Sequence, residues 1–181
     1  VVSGVRSDLS HVIAGPKETL VAVGGEGSIV RSTDGGARWA PVVSGTQSTL
    51  RHVTAGPKET LVAVGGEGSI VRSTDGGETW APVVSGARST LLHVTARPKE
   101  AVVAVGFAGS IVRSTDGGAK WAPVAGGARH LSHVMAGPKE TLIAVGMEGS
   151  IVRSTDGGTR WAPVVSGTQS TLQHVTAGPK E

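Results

Sequence analysis

The chain repeats itself. The hexapeptide RSTDGG begins at Arg31, Arg72, Arg113 and Arg153, and a Trp follows at 39, 80, 121 and 161. His-Val recurs at His11, His52, His93, His133 and His174. The period is 41 residues, shortened once to 40 between Trp121 and His133, in the stretch VAGGARHLS. A connecting loop absorbs such a deletion because little packing depends on it. A fixed period of this size points to a stack of small units, each too small to bury its apolar face alone. The copies are nearly identical: residues 42–59 and 164–181 differ only at Arg51 against Gln173. Differences such as Ile13, Arg97, Phe107, Met135 and Met147 are scattered. Recent duplication and engineering from one parent unit both produce this pattern.

One unit reads as four strands. In the second unit these are Leu50 to Ala55, Thr60 to Val64, Ser69 to Ser73 and Trp80 to Val84. Each run is short, rich in β-branched residues and bounded by Gly, Pro or Asp turns. No segment keeps a helical period over ten residues. Four short strands per unit of this length is the arithmetic of a propeller blade. Pro41, Pro82, Pro123 and Pro163 fall in the fourth strand. Proline cannot donate to a ladder, so that strand belongs at the outer edge. The expected fold is all-β, a β-propeller of four-stranded antiparallel blades. It has four complete units (9–49, 50–90, 91–130 and 131–171) and a fifth inner strand at 172–177, in a single repeat domain over 1–181.

The turn before the fourth strand is Ser-x-Asp-x-Gly-x-x-Trp. It occurs as Ser32, Asp34, Gly36, Trp39 and as Ser73, Asp75, Gly77, Trp80. It recurs as Ser114, Asp116, Gly118, Trp121 and as Ser154, Asp156, Gly158, Trp161. An Asp in a turn accepts hydrogen bonds from backbone N–H groups ahead of it. Gly supplies the positive φ such a turn needs, and Trp is a large plate that pins the turn to the sheet. The motif is identified as the Asp box, or bacterial neuraminidase repeat. The whole unit resembles the blade of the photosystem II assembly and stability factor family of β-propellers, over essentially the entire chain. That resemblance implies a propeller of about seven blades and an exported, periplasmic or lumenal protein; the residues themselves leave the compartment open. Two departures stand out. There are four complete units here, and Leu61, Val62 and their copies occupy the place where that family often sets an aromatic residue.

Composition removes other classes. There is no Cys and no Tyr, and Phe occurs once. Without Cys there is no disulfide framework, thiolate metal site or cysteine nucleophile. Without Tyr a sialidase lacks its nucleophile, so the Asp boxes are read as structural. They sit at the blade periphery in such propellers, away from the axis. No apolar run approaches the ~20 residues of a membrane span, and no signal-peptide pattern opens the sequence. The net charge of +3 is spread along the chain. It gives no footprint for nucleic acid.

Several residues remain as candidates for binding. His11, His52, His93 and His133 lie on inner strands, near a propeller's channel, where imidazoles can hold a metal or an anion. Strict alternation puts Leu50, His52 and Thr54 on one face of the strand and Arg51, Val53 and Ala55 on the other. The structural expectation is a His between blades, hydrogen-bonded to backbone. His130 is expected to be solvated. Glu26, Glu67 and Glu148 lie in Gly-x-Glu-Gly loops, expected to be exposed hairpin turns, with Ala108 as the exception. Phe107 and Met147 replace Gly in the same loop, and exposed apolar residues on a rim can mark a contact surface. The Pro-Lys-Glu turns pair each Lys with a Glu. No catalytic residue, metal site or cofactor is expected.

The sequence therefore predicts a non-enzymatic propeller scaffold or binding module that closes its ring by self-association. A lone run of blades leaves open faces and edges. Two copies would make an eight-bladed homodimeric ring, with an end strand exchanged between protomers. The alternatives are a carbohydrate-binding propeller, with many weak sites made strong together, and a fragment or designed chain with no selected ligand. A protein or glycan ligand is expected, and neither nucleic acid nor a membrane.

Overall fold

The computed structural model describes residues 7–15, 18–97, 101–126 and 129–177. Sixteen strands form four antiparallel sheets of four. Blade 1 is β1 (Leu9–Ala14), β2 (Leu20–Gly24), β3 (Ile29–Ser32) and β4 (Ala40–Val42). Blade 2 is β5 (Leu50–Ala55), β6 (Leu61–Gly65), β7 (Ile70–Ser73) and β8 (Ala81–Val83). Blade 3 is β9 (Leu91–Ala96), β10 (Val102–Gly106), β11 (Ile111–Ser114) and β12 (Ala122–Pro123). Blade 4 is β13 (Leu131–Ala136), β14 (Leu142–Gly146), β15 (Ile151–Ser154) and β16 (Ala162–Val164). Each sheet runs in chain order, inner strand to outer, as expected of a blade.

The second strand of a blade is apolar on both faces because it lies between two other blades. Val21 and Val23 join Leu50, Val53, Leu61 and Ala63 in the core between blades 1 and 2. Val62 and Val64 face the other way, into the core with Leu91, Val94, Val102 and Ala104. Val103 and Val105 repeat this toward Leu131, Val134, Leu142 and Ala144. So the core is three interblade slabs. The register follows from a period of two along each strand.

The inner strand departs from strict alternation. In β5 the pairing passes from Leu50↔Gly65 to His52↔Val64, so Arg51 is an extra, bulged residue. The bulge turns Leu50 onto the same side as Val53, and both are 0% exposed. The assignment of Leu50 and His52 to one face is thus corrected. The same irregularity recurs in the other three blades.

The Gly-x-Glu-Gly loops fold as single 3-10 turns at 25–27, 66–68, 107–109 and 147–149. Their middle residue is left-handed, with φ between 53° and 54° at Glu26, Glu67, Ala108 and Glu148. Among the Pro-Lys-Glu turns, Lys17, Lys99 and Lys180 lie outside the described residues.

The segment 172–177 forms no hydrogen-bonded strand. Its sequence is that of an inner strand, but the described residues hold no second strand for it to pair with. It still occupies the inner position beside blade 4: Leu172 N–H donates to the Gly146 carbonyl at 2.9 Å, and the His174 ring lies 4.0 Å from that of His133.

Candidate functional site

Each Asp box is a small closed network. In the first, Ser32 Oγ donates to Asp34 Oδ1 at 2.9 Å, and accepts from Gly36 N–H at 2.9 Å. Arg38 N–H donates to Asp34 Oδ1 at 2.9 Å. Trp39 Nε1–H donates to the Gly36 carbonyl at 3.1 Å. The same bonds recur in the boxes of Ser73, Asp75, Gly77 and Trp80, of Ser114, Asp116, Gly118 and Trp121, and of Ser154, Asp156, Gly158 and Trp161. Desolvation pushes the Asp75 carboxyl up, but bonds from the Thr79 hydroxyl and N–H and from Ser73 outweigh it and hold it down to about 2. In every box Oδ1 of the Asp accepts from both the Ser hydroxyl and a backbone N–H, so that oxygen is committed to the turn. Of the four Trp that pin these turns, Trp80 is buried, and Trp39, Trp121 and Trp161 are half-buried. Trp39 and Trp161 each line an open groove, beside Arg38 and Asp34 in one and Arg160 and Asp156 in the other.

An arginine clamp joins the boxes, and it was not anticipated. Arg31 Nε–H donates to the Gly76 carbonyl of the next blade at 3.1 Å. Arg72 does so to Gly117 at 2.7 Å, and Arg113 to Gly157 at 2.7 Å. In sequence these Arg residues read only as the polar member of an Ile-Val-Arg-Ser strand. The pairing spans 44 or 45 residues and is visible only once blades are stacked. Blade 3 adds Arg97, 6% exposed, whose Nη1 donates to the Thr141 carbonyl at 2.5 Å.

The inner strands bring the His series together as one column. Ring centroids lie 3.8 Å apart for His11 and His52, 3.7 Å for His52 and His93, and 3.8 Å for His93 and His133. The expected backbone hydrogen bond is present for His11 alone: Val53 N–H donates to its Nδ1 at a long 3.5 Å. Nδ1 of His52, His93 and His133 is buried without a hydrogen-bond partner. The four rings stack at interplanar tilts of 32° to 39°. Desolvation, then the neighbouring imidazoles, depress their basicity, to about 3 in His52, about 2 in His93 and about 4 in His133. Among the described residues no group of three or more His, Asp or Glu is arranged to hold a metal ion.

On the rim, Phe107 and Met147 are 38% and 40% exposed. His130, expected to be solvated, instead accepts from Ala108 N–H at 3.3 Å and meets Phe107 edge-on, with centroids 5.4 Å apart. Glu26 accepts from the Ser7 hydroxyl at 3.2 Å.

On the outer side of blade 1 the inner strand is uncovered, while Ala22 and Val30 of that side are buried. Leu9 is 45% exposed and Val12 55%, where their copies Leu50, Val53, Leu91 and Leu131 are 0% exposed. Among the described residues no helix is long and apolar enough to cross a membrane.

The profile of the BNR/Asp-box repeat matches residues 71–82. A comparison with curated proteins finds no match. Among solved structures, an ancestral GH74 enzyme superposes with a TM-score of 0.70 at 18% identity, over 86% of this chain and 24% of that one. YCF48 bound to D1 peptide gives 0.66 at 19% identity, over 87% of this chain and 53% of that one. The RRP9 WD40 repeats give 0.77 at 12% identity, over 93% and 54%. The chain thus spans between a quarter and just over half of the structures it matches. YCF48 is a photosystem II assembly factor, in keeping with the blade resemblance. The chain has the β-propeller fold, and each of its blades carries an Asp box between the third and fourth strands.

Proposed function

We propose that this chain is a non-enzymatic scaffold, a binding module that completes its ring by pairing with a second copy and presents its rim to a protein partner. The uncovered inner strand of blade 1 carries this reading. Leu9 and Val12 have the side chains and backbone placement of residues that are fully buried in the later blades. A second copy offers the matching surface, because blade 4 repeats the faces of blades 1 to 3 almost residue for residue. The superposition of 93% of the chain on 54% of the RRP9 WD40 repeats supports four blades being about half of a propeller. The Asp boxes serve as turn locks, their Asp side chains engaged by the Ser hydroxyl and backbone N–H groups. The rim residues Phe107 and Met147 fit a peptide partner, and YCF48 supports this by analogy, since it has been solved with a D1 peptide.

The test is sedimentation of the wild-type chain against Val164→Asp. Val164 is 42% exposed in the single chain, and its copies Val42, Val83 and Val124 pack on the cores between blades, so the change leaves the blade intact while burying a charge in the proposed junction. We expect a dimer for the wild type and a folded monomer for the variant. Equal behaviour of the two would sink the reading.

A carbohydrate-binding reading is favoured by one observation, the half-exposed Trp39 and Trp161 beside Arg and Asp in open grooves. Quenching of Trp fluorescence by a panel of oligosaccharides tests it, and no saturable change rejects it.

A further inference from the structure

Three contacts that join blades within the chain, the second of them between blades 1 and 2 and blades 2 and 3, are left open on blade 4. The first is the arginine clamp. Arg31, Arg72 and Arg113 close on Gly76, Gly117 and Gly157, but Arg153 is exposed and has no acceptor among the described residues. The second is the crossover glycine. A Cβ at Gly45 would meet Pro82 of the next blade at 2.8 Å, and one at Gly86 would meet Pro123 at 3.0 Å. At Gly167, with the same left-handed φ of 73°, nothing lies within 4 Å. The third is the inner strand at 172–177, which has no ladder.

The crossover is nonetheless already shaped. Ser166 Oγ donates to the Thr168 carbonyl at 3.1 Å, Thr168 N–H to Ser166 Oγ at 3.3 Å, and Ser170 N–H to Thr168 Oγ1 at 3.1 Å. Ser44, Thr46 and Ser48 make the same three bonds at 3.1, 3.3 and 3.1 Å, where the crossover does deliver a strand, β5. Gly149 N–H holds the Ser170 carbonyl at 2.9 Å. The segment is therefore preorganised to supply the inner strand of a following blade, which lowers the ordering cost of docking.

Each open contact names its complement by the repeat. The Gly equivalent to Gly76 is Gly35, the Pro equivalent to Pro82 is Pro41, and the strand equivalent to β6 is β2, all in blade 1. A blade has room for one inner strand, so 172–177 and the second copy's β1 compete for β2. If β1 stays, 172–177 must peel from blade 4 and lose its bond to Gly146 and its stack on His133. If 172–177 takes the place, it rebuilds the same ladder with the same residues. Leu172 and Val175 then fill the pockets that Leu50 and Val53 fill in blade 2.

We infer that blade 4 of one copy docks on blade 1 of a second copy and donates 172–177 as that blade's inner strand in place of β1, with Arg153 closing on the Gly35 carbonyl. This rests on the self-association proposed above and goes further, because it says which segment is exchanged. Pairing by the β1 register, Ile13↔Val21, sets Thr176 opposite Val21 of the second copy.

The chain has no Cys, so paired substitutions report without background. In the first variant, Val21→Cys with Thr176→Cys, oxidation should give a covalent dimer. In the second, Ile13→Cys with Val21→Cys, the pair should stay largely free in the dimer. A dimer by light scattering in which only the second pair closes, within each chain, overturns the exchange and leaves self-association standing. Closure of the first pair within one chain, or no association at all, overturns both. As an independent check, Arg153→Ala should weaken the dimer about tenfold or more, the scale of a lost charged hydrogen bond. An unchanged dimer dissociation constant contradicts the clamp.

Discussion

Two residue types carry the interblade joints, and they respond differently to change. The clamp arginines act through a charged hydrogen bond to a backbone carbonyl, worth about 1.5–3 kcal/mol. Arg72→Ala removes the 2.7 Å bond to Gly117 and should destabilise the fold by about that amount in urea denaturation. Arg72→Lys should recover only part of it, because a lysine lacks the planar fork that reaches the carbonyl while its stem packs on the strand. The imidazole column acts through protonation. His52 and His93 are held far below the ordinary 6.5 in the folded chain, mainly by desolvation. As pH falls below 6.5 the unfolded chain takes up protons that these folded imidazoles refuse, so stability falls. The slope is about 1.4 kcal/mol per pH unit for each such His. Between pH 6.5 and 5 the carboxylates of the Asp boxes stay ionised in both states, so the window isolates the column. Urea midpoints should drop across that window, and His93→Leu should flatten the drop. A flat profile for the wild type would contradict the buried neutral stack.

At the scale of elements, the Asp-box turn and the strand it meets are one unit. Gly77 has φ 86°, and a Cβ there would meet Val21 of the preceding blade at 2.8 Å. Gly35 has φ 67° and nothing within 4 Å. Gly77→Ala should therefore cost the backbone strain of about 1 kcal/mol and also push apart the slab between blades 1 and 2. Gly35→Ala should cost the strain alone, and differential thermal unfolding of the two variants measures the gap. Equal losses would mean that the turn does not bear on the neighbouring blade. The strands themselves were legible, since runs such as Leu-Val-Ala-Val between glycines have one reading; their ends shifted by about a residue because Thr60, Ser69 and Trp80 turn out of the ladder. The bulge at Arg51 was not legible, because nothing in the composition of Leu-Arg-His-Val marks an extra residue. Nor was the clamp, whose partners are a full repeat apart. The His series was visible as a series, but its stacking and its unpaired Nδ1 atoms depend on the distance between inner strands, which local sequence does not specify.

For the whole molecule, the governing fact is that blade faces are interchangeable. Each slab is built from the same Val, Leu, Ile and Ala set, so the joint between chains costs nothing new in shape: it is the joint already present three times within the chain. Arc and ring differ in whether the open faces of blades 1 and 4, with Arg153, meet their complements. The resemblance to photosystem assembly propellers read the architecture correctly, and the matched structures agree on fold at 12% to 19% identity. What a completed ring would bind follows from the side chains it presents, among them Phe107, Met147 and the more exposed Val43 and Val84. The mass of the wild-type chain in solution, by light scattering coupled to size exclusion, tests the closure directly. The account predicts a single species with the mass of two chains, unchanged on dilution through the micromolar range. A species with the mass of one chain, or a mass that climbs with concentration without a plateau, would contradict it.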